Sequence, residues 1–490
     1  MRRINYFAMS LLASAALAFT GCSSEDVIEG GTSKNETGNF YMTLTIDASS
    51  ASNGTRTAQQ PEHEKLGNTL ESNVKSGTFL VYDDNGNLKY TKTMNQDEWD
   101  HAQYPTQNGS TNTTGKKTLK ISVSNVDAGA TYHIYFLANL ATGINPFEHT
   151  YTAPEDKKFA GTYSTDDAFV MFNQNDGTTH ADKYTVTFAE ANKDENTPAS
   201  VGTPIKIERV VARIDKPTAA EATEIKDAEG DNEAVKAEKA KIESISLESY
   251  ALANLAKSTY LMQHWDSNWK TFSTPITTPS ATSYFQTTGE FGTSTENTGE
   301  GWFSMNDKNY VFENTVADDT YATKMYFKFK ATWAASSTTT PDFADGTFYR
   351  FEGKLYNSLQ TIINEFENNG QANPFGIGVT KKALLEELGI DAEKNLINNE
   401  ATIKAFREKY QIEVFERGEM YYSTPIKDQY YDQAGCNILR NSIYQINVKN
   451  VYQIGTDVPN GTPSEVKPFY YLDVEVTVNP WVLNTINVDL

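Results

Sequence analysis

Phe40, Met42, Leu44 and Ile46 are apolar, and Tyr41, Thr43, Thr45 and Asp47 stand between them. A period of two is that of a β-strand with one buried face. After a polar loop from Ser49 to Glu64 the pattern returns at Thr78–Asp83, then at Asn87–Lys92, with Asn85-Gly86 between the two runs. Asn-Gly between apolar runs predicts a tight hairpin. Asp83, Asp84 and Asn85 crowd acidic and amide groups there, but the glutamate that a calcium loop needs downstream is missing. Further strands are predicted at Thr118–Val123, Thr131–Leu137, Tyr184–Phe188, Ile205–Ile214, Ile242–Leu247, Tyr444–Val451 and Phe469–Val478. Short alternating runs rich in Tyr, Phe and Thr, separated by turn residues, predict a mainly β protein of the sandwich type.

Three stretches break that rhythm. Lys354–Asn368 and Lys381–Tyr410 carry helical spacing, the second broken near Gly389, and predict helical insertions in the second half of the chain. Pro217–Lys241 is rich in Ala, Glu and Lys with almost no apolar stripe, so it reads as a helix or mobile excursion outside the core. The chain turns small and polar between Asp194 and Thr203. An N-terminal domain over 40–203 and a C-terminal domain over 204–490 are expected on either side of it. Thr271–Gly301, dense in Ser, Thr and Gly, reads as an exposed loop.

The last residues alternate as cleanly as the first strand. Val474, Val476, Val478, Val482, Ile486, Val488 and Leu490 fall on even positions, and Asp473, Glu475, Asn479, Asn487 and Asp489 on odd ones. Termini usually lose their pattern, so a strand that stays amphipathic here is expected to pair with its own sheet or with another chain. Pro480 is expected to interrupt the ladder and leave Trp481–Leu490 separable from what precedes it.

The N-terminus sets the compartment. Arg2 and Arg3 precede a short apolar run from Tyr6 to Phe19, the build of a signal peptide over 1–21 and too short to span a bilayer. Phe19-Thr20-Gly21-Cys22 resembles a lipobox, with cleavage between Gly21 and Cys22 and lipid on the Cys22 thiol. Residues 22–39 then read as a flexible tether, and Ser23-Ser24-Glu25-Asp26 resembles a surface-export signal of Bacteroidetes lipoproteins. With Cys22 lipidated, Cys436 has no disulfide partner.

The formal charge of −22 and pI near 4.8 argue against nucleic acid and anionic lipid as ligands. No catalytic, cofactor or metal motif is legible. The six histidines show no HExxH or paired Cys/His spacing, and there is no phosphate loop, dinucleotide fingerprint or nucleophile elbow. An enzyme is not expected. Trp265, Trp269, Trp302 and Trp333 lie in or beyond polar loops and open a competing reading, a monomeric surface lipoprotein that binds glycans.

Several motifs in sequence order resemble one family. The lipoprotein start, the first strand with Arg56-Thr57 in the loop after it, and Val81–Leu88 look like the N-terminal domain of Bacteroidetes type V fimbrillins. Ile207-Glu-Arg-Val-Val-Ala-Arg-Ile214 is similar to that domain's Arg-x-Val-Ala-Lys strand, with Arg213 in place of Lys. Tyr421–Ile426, Leu439-Arg-Asn-Ser-Ile-Tyr-Gln-Ile446 and Val476-Thr-Val-Asn-Pro-Trp481 resemble the C-terminal domain of the major subunits of the shorter fimbriae. Ser442 departs from the His common at its position. The resemblance implies two transthyretin-like β-sandwich domains and a lipoprotein precursor at the outer membrane. It further implies that an arginine-specific protease cuts between Arg56 and Thr57. The strand bearing Phe40, Met42, Leu44 and Ile46 then leaves, and the C-terminal strand of the next subunit, with Val482, Ile486, Val488 and Leu490, fills the groove. The implied partners are identical subunits, anchor and tip subunits, and surface receptors, in an extracellular adhesive fimbrium. A donor-like terminal strand favours a stalk role.

Overall fold

The structure, a computed structural model, describes residues 39–47, 74–102, 116–140, 168–174, 184–253, 307–316, 322–335, 339–428, 436–459 and 472–482, with short pieces between them such as 65–66 and 259–263. Cys22, Gly21, Arg56, Thr57, Ile486, Val488 and Leu490 lie outside the described residues, as do Trp265, Trp269, Trp302 and most of the loop 271–301.

The described chain is mostly strand, as its alternation predicts. β1 (Phe40–Asp47), β3 (Gly77–Asp83), β4 (Leu88–Met94), β5 (Lys116–Val123), β6 (Thr131–Ala138), β7 (Met171–Asn173), β8 (Thr185–Thr187), β9 (Ala199–Ser200) and β10 (Ile205–Arg209) share one ladder. Its order is β9-β1-β10-β7-β6-β3-β4, with β5 on the other edge of β1 and β8 on β6. β10 turns the corner between layers: Ile205 and Lys206 lie beside β1, and Ile207–Arg209 beside β7. The inward side chains form one core, among them Phe79, Phe136, Phe172 and Phe188. The Asn85-Gly86 hairpin forms as expected. The Asp83 carboxylate accepts from the Asn85 and Asn87 amides (2.9 and 2.8 Å), and Gly86 takes a φ of 75° that suits a residue without Cβ. Burial, the largest single influence on the Asp83 carboxyl, pushes it up, but the hydrogen bonds from Asn87 and Lys89 together outweigh it and hold the carboxyl below its ordinary range.

The strand expected over 205–214 is two strands. Val210 is fully buried and its amide donates to the Val170 carbonyl (3.1 Å), after which β11 (Val211–Asp215) joins a different sheet. That sheet contains β13 (Lys308–Phe312), β11, β19 (Ser442–Val451), β20 (Leu472–Val482) and the two-residue β2 (Lys65–Leu66), side by side in that order. A three-stranded sheet of β12 (Ile242–Ala253), β14 (Lys324–Trp333) and β18 (Glu419–Pro425) shares a second core with it, with Phe327 and Phe329 packed in one cluster with Tyr444, Ile446 and Val448.

The helical insertions occur with altered limits. Lys354–Tyr356 is a strand, β16, hairpinned on β15 (Phe348–Phe351), because Glu352 and Gly353 take positive φ (47° and 76°) and turn the chain back. Helices follow at α2 (Leu359–Asn368), α3 (Lys381–Leu388), which ends at Gly389 with φ 96°, and α4 (Glu400–Tyr410). They pack on β15, β16 and β17 (Glu413–Phe415) around a third core that includes Leu359, Leu384 and Phe406. The 217–241 segment is less detached than its composition suggests. Thr218 and Ile225 bridge Asn447 and Val451 beside β19, and Ala222 is buried; only Glu233–Lys239 (α1) is helical.

Candidate functional site: the groove occupied by the first strand

β1 sits inside its sheet. All eight of its residues register antiparallel with β5, from Phe40 opposite Val123 to Asp47 opposite Lys116. Its other edge runs parallel to β9 (Met42 beside Ala199) and then to β10 (Ile46 beside Ile205). The Val201 amide donates to the Thr43 carbonyl (3.0 Å), so even the short link between β9 and β10 is tied to it. Phe40, Met42, Leu44 and Ile46 are all exposed by 3 % or less. The even-numbered face of β1 is therefore core, which the alternation predicted. Phe40 packs on Phe188 (ring centroids 5.3 Å apart), and Lys193 lies over the same ring. On the other face the Thr45 and Thr118 hydroxyls meet at 3.0 Å, and Asp47, buried at the strand's end, pairs with Lys116 (3.2 Å).

Among the described residues β5 has β1 as its one registered neighbour. Removing β1 would leave β5 without a ladder, open the β9–β10 edge and uncover the floor of the first core. At about 1.5–3 kcal/mol for each buried side chain, four such residues contribute roughly 6–12 kcal/mol.

The strand at the other end is placed differently. β20 pairs with β19 from Leu472 to Pro480, Ser442 standing opposite Pro480 and Val451 opposite Leu472. Its other edge carries only β2, with Lys65 beside Trp481 and Leu66 beside Val482. Pro480 therefore does not interrupt the strand. The register with β19 ends at Pro480, and β2 takes over the pairing at Trp481, so the proline falls where one neighbour gives way to another. Trp481 and Val482 are held in their own molecule, and residues 483–490 lie outside the described residues.

Two matches settle the family. Residues 41–209 match the profile of the major fimbrial subunit protein (FimA), and residues 413–487 match the C-terminal profile of fimbrillin, the type IV major fimbrial subunit protein. The chain belongs to the fimbrillin family. This fimbrillin is a structural subunit of a cell-surface fimbrium, and fimbrial proteins are its partners. No curated protein matches it. Among solved structures it is similar to a protein of Parabacteroides distasonis described as a cell adhesion protein (13 % identity, 91 % of this chain and 99 % of that one, TM-score 0.48). It is also similar to the fimbrial anchor protein Mfa2 of Porphyromonas gingivalis (9 %, 91 % and 100 %, TM-score 0.27). At such low identity and TM-score neither likeness carries an argument about function.

The fimbrillin's two family-like stretches, Ile207–Ile214 and Leu439–Ile446, meet in the fold. The Arg209 guanidinium donates to the Asn441 side chain (2.8 Å), and the Asn441 amide to the Val211 carbonyl (2.7 Å). Beside them Arg440 is fully enclosed and donates to Glu313 (2.5 Å), Thr259 (2.9 Å) and the Leu261 carbonyl (2.6 Å). Glu208 is buried in the same cluster, and loss of solvent pushes its carboxyl up to about 8 although Arg440 pulls the other way. Sequence reading did not single out Glu208, Glu313 or Arg440. The available signal was a charge inside an apolar strand run, as in Ile207-Glu208-Arg209-Val210, which marks a buried polar partner elsewhere.

Proposed function

We propose that this fimbrillin is exported as a lipoprotein through Cys22, cut between Arg56 and Thr57 by an arginine-specific protease, and polymerised by exchange of β1 for the terminal strand of another subunit. The observation that carries this reading is the setting of β1: its four buried side chains and both its edges belong to the core, yet residues 48–64 alone connect it to the rest of the fold. Arg56 lies in that connection and is the one arginine between Arg3 and Arg209. A cut there severs β1 from the body while β2 stays with it. The vacated groove needs main-chain partners for two edges and apolar side chains at a spacing of two, which is what strand addition provides.

The terminal segment has that pattern. Since Trp481 and Val482 pair with β2, the part free to transfer starts at Leu483. Ile486, Val488 and Leu490 then match three of the four positions that Phe40, Met42, Leu44 and Ile46 occupy, and Asn484 meets the fourth. The proposed product is an extracellular filament of identical subunits, joined to anchor and tip subunits at the outer membrane.

The Arg56→Ala variant tests the cut. It is expected to reach the cell surface as a lipidated, uncut monomer that forms no filaments, while N-terminal sequencing of wild-type filaments reads Thr57-Ala58-Gln59. Filaments assembled from the variant, or wild-type filaments whose subunits retain residues 40–47, would remove strand exchange from the account.

A further inference from the structure

The Ala-, Glu- and Lys-rich excursion ends in α1, and α1 borders two cavities. The larger, about 450 Å³, lies against the β15–β16 turn. Its charges are already matched, Arg350 with Glu413 and Lys239 with Asp231, and it presents no aromatic ring. The smaller, about 370 Å³, opens between the end of α1, the end of β14 and the start of α2, and is lined by Trp333, Tyr356, Asn357, Thr361, Glu365 and Lys241 among others. Its size falls within the range of roughly 300–1,000 Å³ that small-molecule sites occupy.

The chemistry of this second cavity is selective. Trp333 is partly exposed, leans on Phe348 (ring centroids 5.7 Å apart), and its indole N–H is enclosed without a hydrogen-bond partner. With that N–H enclosed, what Trp333 presents to the cavity is the partly exposed surface of its ring. Tyr356 donates to Glu365 (2.8 Å), and Lys241 lies over the Tyr356 ring. Each cation here has a carboxylate: Lys241 binds Glu238 (2.7 Å), and Lys354 binds Glu365. The ion pair with Lys354 holds the Glu365 carboxyl below its ordinary range, so at neutral pH Glu365 acts only as an acceptor. A charged ligand would have to break one of these pairs. A neutral ligand does not.

We propose that the cavity between α1, β14 and α2 binds a neutral sugar residue, with the apolar face of a pyranose against Trp333 and its hydroxyls bonded to Glu365, Asn357 and Thr361. The pairing of one aromatic surface with carboxylate, amide and hydroxyl groups within one cavity suits a ring that is apolar on its faces and polar around its rim. An anionic ligand finds no unmatched cation, and a purely apolar one would strip water from the charged Glu365 carboxylate without replacing it. No residue of the cavity belongs to the β1 groove. The site thus stays available in an assembled filament, where repetition along the polymer offsets a weak single-site affinity; that last clause rests on the polymerisation reading, and the site itself does not.

Titration calorimetry of the full chain with the methyl glycosides of glucose, galactose, mannose, fucose and N-acetylglucosamine tests this. Saturable binding of at least one is expected. Ala237→Trp, which fills the cavity from an exposed position on α1, should weaken binding by about tenfold or more at unchanged melting temperature. Trp333→Leu, which removes the aromatic face and keeps an apolar side chain, should weaken it by roughly threefold or more. No saturable binding of any of the five, or binding unaffected by Ala237→Trp, overturns the proposal. Tighter binding of methyl glucuronide than of methyl glucoside overturns the neutral class.

Discussion

β1 and β20 are both amphipathic strands near the ends of the described chain, and they are held in opposite ways. β1 has neighbours on both edges and four side chains in the core. β20 has one complete neighbour, β19, and on the other edge only the two residues of β2. Similar alternation thus yields a strand that the fold cannot lose without replacement and one that lies at a margin. The strand exchange proposed here would need this asymmetry. The strand to be displaced must leave a deep, specific groove, and the region that supplies the replacement must be able to part from its own sheet at little cost.

Single truncations on the two strands give the sharpest contrast. Met42→Ala should cost about 2–5 kcal/mol in chemical denaturation of the uncut monomer, the range for emptying a fully buried site. Val474→Ala on β20, whose side chain is only partly buried against the second core, should cost about 1 kcal/mol. Equal losses would erase the distinction between the strands.

A smaller and pH-dependent effect is expected at the junction between the two cores. The folded state raises the Glu208 carboxyl from 4.5 to about 8, so the native protein holds this proton more tightly than the unfolded chain. The contribution to stability is fully present below about pH 4.5, declines as pH rises and is gone above about 8. Comparing wild type with Glu208→Gln across pH 5–9 isolates it. The difference should change steadily in favour of the variant as pH rises; a constant difference would mean that Glu208 is ionised throughout.

The smallest expected effect on stability accompanies the largest on assembly. Deleting residues 483–490 leaves β20 paired through Val482, so the monomer's melting transition should move by no more than the ~0.5 kcal/mol of a surface change. Filament formation, followed by electron microscopy, should be lost. A strongly destabilised monomer would place these residues in their own sheet and reverse the contrast with β1.

Much of this was written locally. The Phe40–Ile46 alternation determined a one-faced strand, Asn85-Gly86 a hairpin, and Gly389 the end of a helix, because side-chain period and backbone conformational freedom act over a few residues. Tertiary structure decided what those strands border. Nothing in Ile205–Ile214 alone announces that the strand changes sheets at Val210, since apolar residues continue through both halves without a turn residue between them. Lys354–Tyr356 has helical spacing and still pairs as a strand, because Glu352 and Gly353 reverse the chain onto β15. Pro480 reads as a ladder breaker, and the β19 register does end there, yet the strand runs on to Val482 because β2 takes over the pairing at Trp481. The cluster of Glu208, Arg209, Glu313, Arg440 and Asn441 joins residues more than 200 positions apart. Its charges are placed by the packing of two cores, a long-range effect that no local pattern encodes.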